Sequence, residues 1–225
     1  MDTHQHSLHA LQDIRRMMDR SSRFVSLSGW SGIAAGICAL VGAHYANGLI
    51  EEAKTSGNTE PVTPPAAYQT IGGVELPSAL AQQLMGIAFV TLAAAFILAV
   101  LFTWLRSRKT GVPLWGSIAR RLAIATLIPM AVGGIFLLQL YKSGAVGLVA
   151  PGCLLFYGLA LLNASKFTMV EIRYLGYAML ATGLVSLLFP GYGLYFWAFG
   201  FGILHIAYGI VMWWRHEKNT AHPQS

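Results

Sequence analysis

Long stretches without a formal charge constrain this chain more than any other feature. No Asp, Glu, Lys or Arg falls in Phe24–Ile50, Leu76–Leu105, Leu122–Tyr141, Ser143–Ser165 or Tyr174–Trp214. A bilayer core about 30 Å thick is crossed by roughly 20 apolar helical residues. In hydrocarbon the backbone must satisfy its own hydrogen bonds, which a helix does within one segment. The last run is too long for one crossing and contains Phe189-Pro190-Gly191-Tyr192-Gly193, a cluster that ends helices. The expected fold class is therefore all-α: a polytopic membrane protein with six transmembrane helices near 24–46, 79–105, 118–141, 146–164, 169–189 and 194–214. They are expected as a bundle of three antiparallel hairpins, because most connections are short.

Charge position supports this map. Of the 15 Lys and Arg, all but Lys54 and Lys142 fall on one side of the expected bundle, while Glu51, Glu52, Glu60 and Glu75 fall on the other. Basic loops stay cytoplasmic, so both termini are expected inside. The formal charge of +6 thus records topology and gives no reason to expect a nucleic-acid partner. Charged residues make up 11% of the chain against about 25% in soluble domains, which disfavours an ordinary soluble enzyme. Two cysteines exclude a disulfide scaffold.

The expected organisation is a cytoplasmic N-terminal segment 1–23, a membrane domain 24–214 with an outer loop 47–78, and a cytoplasmic tail 215–225. Leu8, Leu11, Ile14 and Met18 recur at helical spacing among arginines, predicting a short amphipathic N-terminal helix. The outer loop carries Pro61, Pro64 and Pro65 and is longer than ordinary connections. Thr168 and Glu171 have capping-box spacing.

Packing within lipid relies on small residues that let backbones approach. Ser28, Gly32 and Gly36 form such a row on the first helix; Ala198, Gly202, His205 and Gly209 form one on the sixth. Pro129 in the third helix has no amide to donate to the Ala125 carbonyl.

Chemistry is sparse. His205 is an ionisable group near mid-membrane, and such groups are functional candidates. One reading makes it a proton-sensing or solute-contacting imidazole. The preferred reading is a neutral histidine bonded to a Ser, Thr or Tyr of a neighbouring helix. Gln82, Gln139 and Asn163 lie near helix ends, where they line a vestibule or bridge helices. His44 and His205 are offset along the membrane by on the order of 10 Å, which disfavours a bis-histidine haem. Cys38 and Cys153 lack a CxxC context, and His4, His6 and His9 lack companion ligands. No catalytic, cofactor-binding or metal residues are assigned, and an enzyme is not expected.

The stretches FPGYGLYFWAFGFGILHIAYG at 189–209 and RSSRFVSLSGWSGIAAGI at 20–37 resemble those of small six-span bacterial inner-membrane proteins. The resemblance implies a bacterial inner-membrane location and brings no site residues. The expected function is a non-catalytic accessory or interaction protein, with the lipid bilayer and a membrane-protein partner or second copy as its contacts. The alternative is a small-solute or ion transporter with a polar path past Gln82, Gln139 and His205.

Overall fold

A computed structural model describes residues 28–55, 78–111 and 115–216. The expected amphipathic N-terminal helix, the middle of the outer loop and the end of the tail lie outside them. Among the described residues the chain is helical and has no strand: α1 (Gly29–Thr55), α2 (Ser78–Thr110), α3 (Ser117–Lys142), a 3-10 turn (Val146–Leu148), α4 (Val149–Ala164) and α5 (Glu171–Leu187). The last helix, α6, spans 193–216 in three consecutive stretches: α-helical Gly193–Trp197, π-helical Ala198–Leu204 and α-helical His205–His216.

Five of these helices are long and apolar enough to cross a membrane: Gly29–Thr55, Leu80–Lys109, Ser117–Lys142, Val146–Ala164 and Gly193–Arg215. The helix expected at 169–189 is shorter. Its 17 residues in α5 reach only about 26 Å, just under the usual hydrocarbon thickness. Val170 stands at its N-cap position, two residues after Thr168. The Glu171 carboxylate accepts a hydrogen bond from Arg215 at 3.3 Å.

The first helix differs in the other direction. It was expected to end near residue 46, with a loop from 47; α1 instead continues to Thr55. Residues 50–55 are polar or helix-tolerant, and a Glu51–Lys54 pair at 2.9 Å stitches the added turns. Gly144 (φ 81°) and Gly191 (φ 90°) adopt left-handed backbone after α3 and in the expected Phe189–Gly193 break. Glycine takes that conformation without a Cβ clash; Gly144 directly follows the α3 C-cap Ser143, and Gly191 lies in the turn between α5 and α6.

Neighbours along the chain pack as α1 with α2 and α3 with α4, but the bundle is joined by α4 against α5 and by α1 against α6. The helices α5 and α6, expected as a hairpin, meet less extensively than α4 and α5. Leu154, Leu161, Ile172, Leu175 and Met179 form the apolar centre, with Tyr157, Phe196, Phe201, Leu204 and Tyr208 packed around it. These belong to α4, α5 and α6. α2 and α3 are flanking helices: buried residues make up 6% and 11% of their apolar windows, against 28% for α1.

Glycine sets how closely the helices approach. A β-carbon on Gly29 would lie 2.5 Å from the Gly209 carbonyl oxygen, and one on Gly209 would lie 2.6 Å from the Gly29 oxygen. Gly32 faces Tyr208, Gly209 and His205, while Gly36 faces Ile206 and Gly202. At the far end Tyr195 donates to Asn47 at 3.3 Å. These contacts make α1 and α6 antiparallel along their length. The expected packing residues Gly32, Gly36, Gly202 and Gly209 all lie in this region, although Gly202 meets the Leu40 side chain. Ser28 is buried just before α1, where its carbonyl accepts a bond from the Ser31 amide at 3.1 Å.

Candidate functional site

The most elaborate polar arrangement described within the bundle begins with the π-helical stretch of α6. Its sequence, Ala198-Phe199-Gly200-Phe201-Gly202-Ile203-Leu204, combines small and aromatic residues. A π-turn follows an i to i+5 register, and such turns occur frequently at functional sites. In this register His205 lies over Gly200, and Nδ1 of its ring is 3.0 Å from the Gly200 carbonyl oxygen. On the other side of the ring, Nε2 is 3.0 Å from the hydroxyl of Tyr157 on α4.

These partners select a tautomer for the neutral ring. A carbonyl oxygen only accepts, so Nδ1 carries the proton and donates to Gly200. Nε2 is then the acceptor, and the Tyr157 hydroxyl donates to it. Both ring nitrogens are engaged, and His205 is only 6% exposed. Aromatic rings close round the imidazole: Phe201 stacks at 5.8 Å between centroids, and Tyr157 lies 5.1 Å from Phe201. Trp197 extends the group, 5.1 Å from Phe201.

Among the described residues, the buried side-chain oxygens Tyr208 Oη and Ser186 Oγ make no hydrogen bond to another protein group. Tyr208 is one turn beyond His205 on α6, so the two share a helix face. Its ring packs against the same apolar centre as Tyr157. Seven residues further, Arg215 meets Glu171 at the end of the bundle, where the Glu171 side chain is 14% exposed and that of Arg215 is 67% exposed.

A separate polar contact resolves the proline in α3. The Asn163 amide on α4 donates to the Ala125 carbonyl at 2.8 Å. Ala125 is the residue whose helical donor Pro129 removes, so the side chain of one helix replaces the missing backbone donor of another. Of the two uses expected for Asn163, the structure gives it helix bridging.

The other expected polar residues are dispersed. Gln82 on α2 and Gln139 on α3 are exposed, on helices that pack against α1 and α4 respectively. Cys38 and Cys153 are free and partly buried. His44 is exposed on α1. Among the described residues no group of three or more His, Cys, Asp or Glu is placed to hold a metal ion.

Several structural participants escape a reading for small-residue rows alone. Tyr157 is one of them; a tyrosine in the middle of a span, away from the interface that tyrosine favours, was the available signal. Gly158 and Gly176 are another pair: a β-carbon on either would lie 3.1 or 3.2 Å from the other's carbonyl oxygen, across the α4–α5 contact. Known protein families, curated proteins and solved structures contain no match to this chain.

Proposed function

We propose that this chain is a six-span bacterial inner-membrane protein, both termini cytoplasmic, that serves as a non-catalytic accessory or interaction protein. The observation that carries this reading is the contrast between a closed interior and open flanks. His205 has both nitrogens engaged by protein groups, and glycine brings the α1 and α6 backbones together. By contrast, α2 displays Phe89, Val90, Phe96 and Ile97 outward, and α3 displays Leu127, Ile128, Ile135 and Phe136. Lipid covers such faces, and a membrane-protein partner or a second copy packs on them by the same van der Waals contacts. The exposed positions of Gln82 and Gln139 give less support to a transport path through His205.

For α5 to cross and bring the number of spans to six, its 17 residues need only a thinned or locally adjusted bilayer, a modest cost. The basic residues Lys166 and Arg173 at one end and the Pro190–Gly191 turn at the other favour that placement. The test combines site-specific photo-cross-linking at Phe89 and Ile135 in native membranes with reporter fusions after residues 165, 191 and 215. The reading expects a discrete protein adduct from at least one flank, and an external reporter signal at 191 alone. Lipid adducts alone from both flanks would remove the interaction role; an internal signal at 191 would remove α5 as a span.

A further inference from the structure

Positive charge gathers at the end of the bundle where α2 passes to α3. Arg108 and Lys109 end α2, Arg120 and Arg121 lie in the first turns of α3, and all four are exposed. The sequence has no Asp or Glu between Glu75 and Glu171. Among the described residues none of the four cations forms an ion pair: Glu51 pairs with Lys54 at the far end of α1, and Glu171 meets Arg215. Six residues separate Thr110 from Ser117, so the two helix ends lie within about 25 Å of each other. Beyond this junction α2 packs on α1 and α3 on α4, with no comparable contact between α2 and α3.

Each helix sets its cations above an apolar stripe. On α2 the Arg108 guanidinium lies 4.1 Å from the centre of the Trp104 ring, one turn further into the span. The ring takes the flat face of the guanidinium and leaves its edge N–H groups to bond phosphate oxygens. Leu101, Trp104 and Arg108 follow at steps of three and four on one exposed face. On α3, Arg121, Ile124 and Ile128 repeat that order, with the cation at the helix end. Trp115, on the connection, is 83% exposed and carries a ring of the kind that settles at headgroup depth.

We propose that the α2–α3 junction binds an anionic phospholipid. Its phosphate accepts hydrogen bonds from Arg108 and Arg121, Lys109 and Arg120 add attraction, and its acyl chains lie along the two stripes. Charge and apolar surface together select this occupant. A soluble anion answers the cations and leaves the stripes uncovered, while an apolar protein face covers the stripes and leaves the cations. A zwitterionic lipid brings an ammonium that four cations repel. The proposal rests on the membrane placement given above and not on the interaction role.

The experiment measures lipid retention by the full chain in detergent, using native mass spectrometry. Phosphatidylglycerol and phosphatidylcholine with identical acyl chains are added in equal amounts, and glycerol phosphate is the soluble competitor. The native chain should retain phosphatidylglycerol with a preference of about tenfold, the attraction of a few surface cations. Arg108→Gln with Arg121→Gln should abolish the preference, while the corresponding lysine pair keeps part of it because charge remains. Lys142→Gln, at the other end of α3, should leave it unchanged. Thermal unfolding of each variant should stay near native, since the substituted side chains are exposed. Equal retention of the two lipids overturns the proposal and leaves the membrane placement standing; retention of neither counts against both. A preference that survives the glutamine pair, that falls equally in Lys142→Gln, or that glycerol phosphate removes would also overturn it.

Discussion

The α1–α6 and α3–α4 contacts both use glycine, but they differ in what the glycine meets. At α1–α6, Gly29 and Gly209 face each other's carbonyl oxygens, and Gly209 also faces the Ile33 amide nitrogen, 2.7 Å from a would-be β-carbon. Backbone cannot rotate out of the way. At α3–α4, Gly152 faces the Leu137 methyl end, and Gly133 faces the Phe156 side chain. The Leu137 methyl end can move by a change of rotamer, whereas the Phe156 β-carbon, 2.5 Å from a would-be β-carbon on Gly133, is fixed by the α4 backbone. The α1–α6 contact therefore fixes an interhelical distance, while at Gly152 the α3–α4 contact only fills one. The α3–α4 pair gains its specificity elsewhere, from the Asn163–Ala125 hydrogen bond.

Substitutions separate the two kinds of contact. Gly209→Leu should have the largest effect, because it forces α6 away from α1 and disturbs His205 one turn along. Overpacking and backbone displacement of this kind cost about 3 kcal/mol or more. Thermal unfolding in detergent should show loss of the cooperative transition or a large fall in its midpoint. A near-native midpoint would show that α1 and α6 are not held by backbone approach.

Asn163→Leu should have an intermediate effect, about 1–2 kcal/mol, by leaving the Ala125 carbonyl without its donor. Adding Pro129→Ala supplies a backbone amide at the right position. The penalty for Asn163→Leu should shrink in that background, and a double-mutant cycle measures the change. Equal penalties in both backgrounds would separate the asparagine from the proline.

Gly152→Ala should have the smallest effect, under about 1 kcal/mol, since the Leu137 side chain can move aside. A loss comparable to that of Gly209→Leu would erase the distinction between backbone-lined and side-chain-lined contacts.

The division between legible and hidden features follows the same physics. The row Gly32, Gly36 with Gly202, Gly209 was visible because helical periodicity puts such residues on one face. Gly29 continues that contact and was not distinguished, since its role depends on the antiparallel offset of a helix some 180 residues away. The orphan carbonyl at Ala125 was evident from Pro129, but the helix that would satisfy it was not. His205 was evident as an ionisable group within a span; that Tyr157 and Gly200 share its two nitrogens depends on the π register and on how α4 lies against α6. Gln82 and Gln139 were grouped with His205 by residue type, whereas the fold leaves both exposed on flanking helices.

By itself the sequence determined that the described chain is helical and contains helices suited to a membrane, because charge-free length and backbone self-satisfaction leave few alternatives. It also marked the Phe189–Gly193 turn and much of one packing face. Tertiary structure decided which helices form the centre, where the α1 helix and the short α5 helix end, and which groups receive each buried hydrogen bond. Those choices depend on interhelical offset and rotation, and a local periodicity carries information about a helix's face but not about the face it will meet.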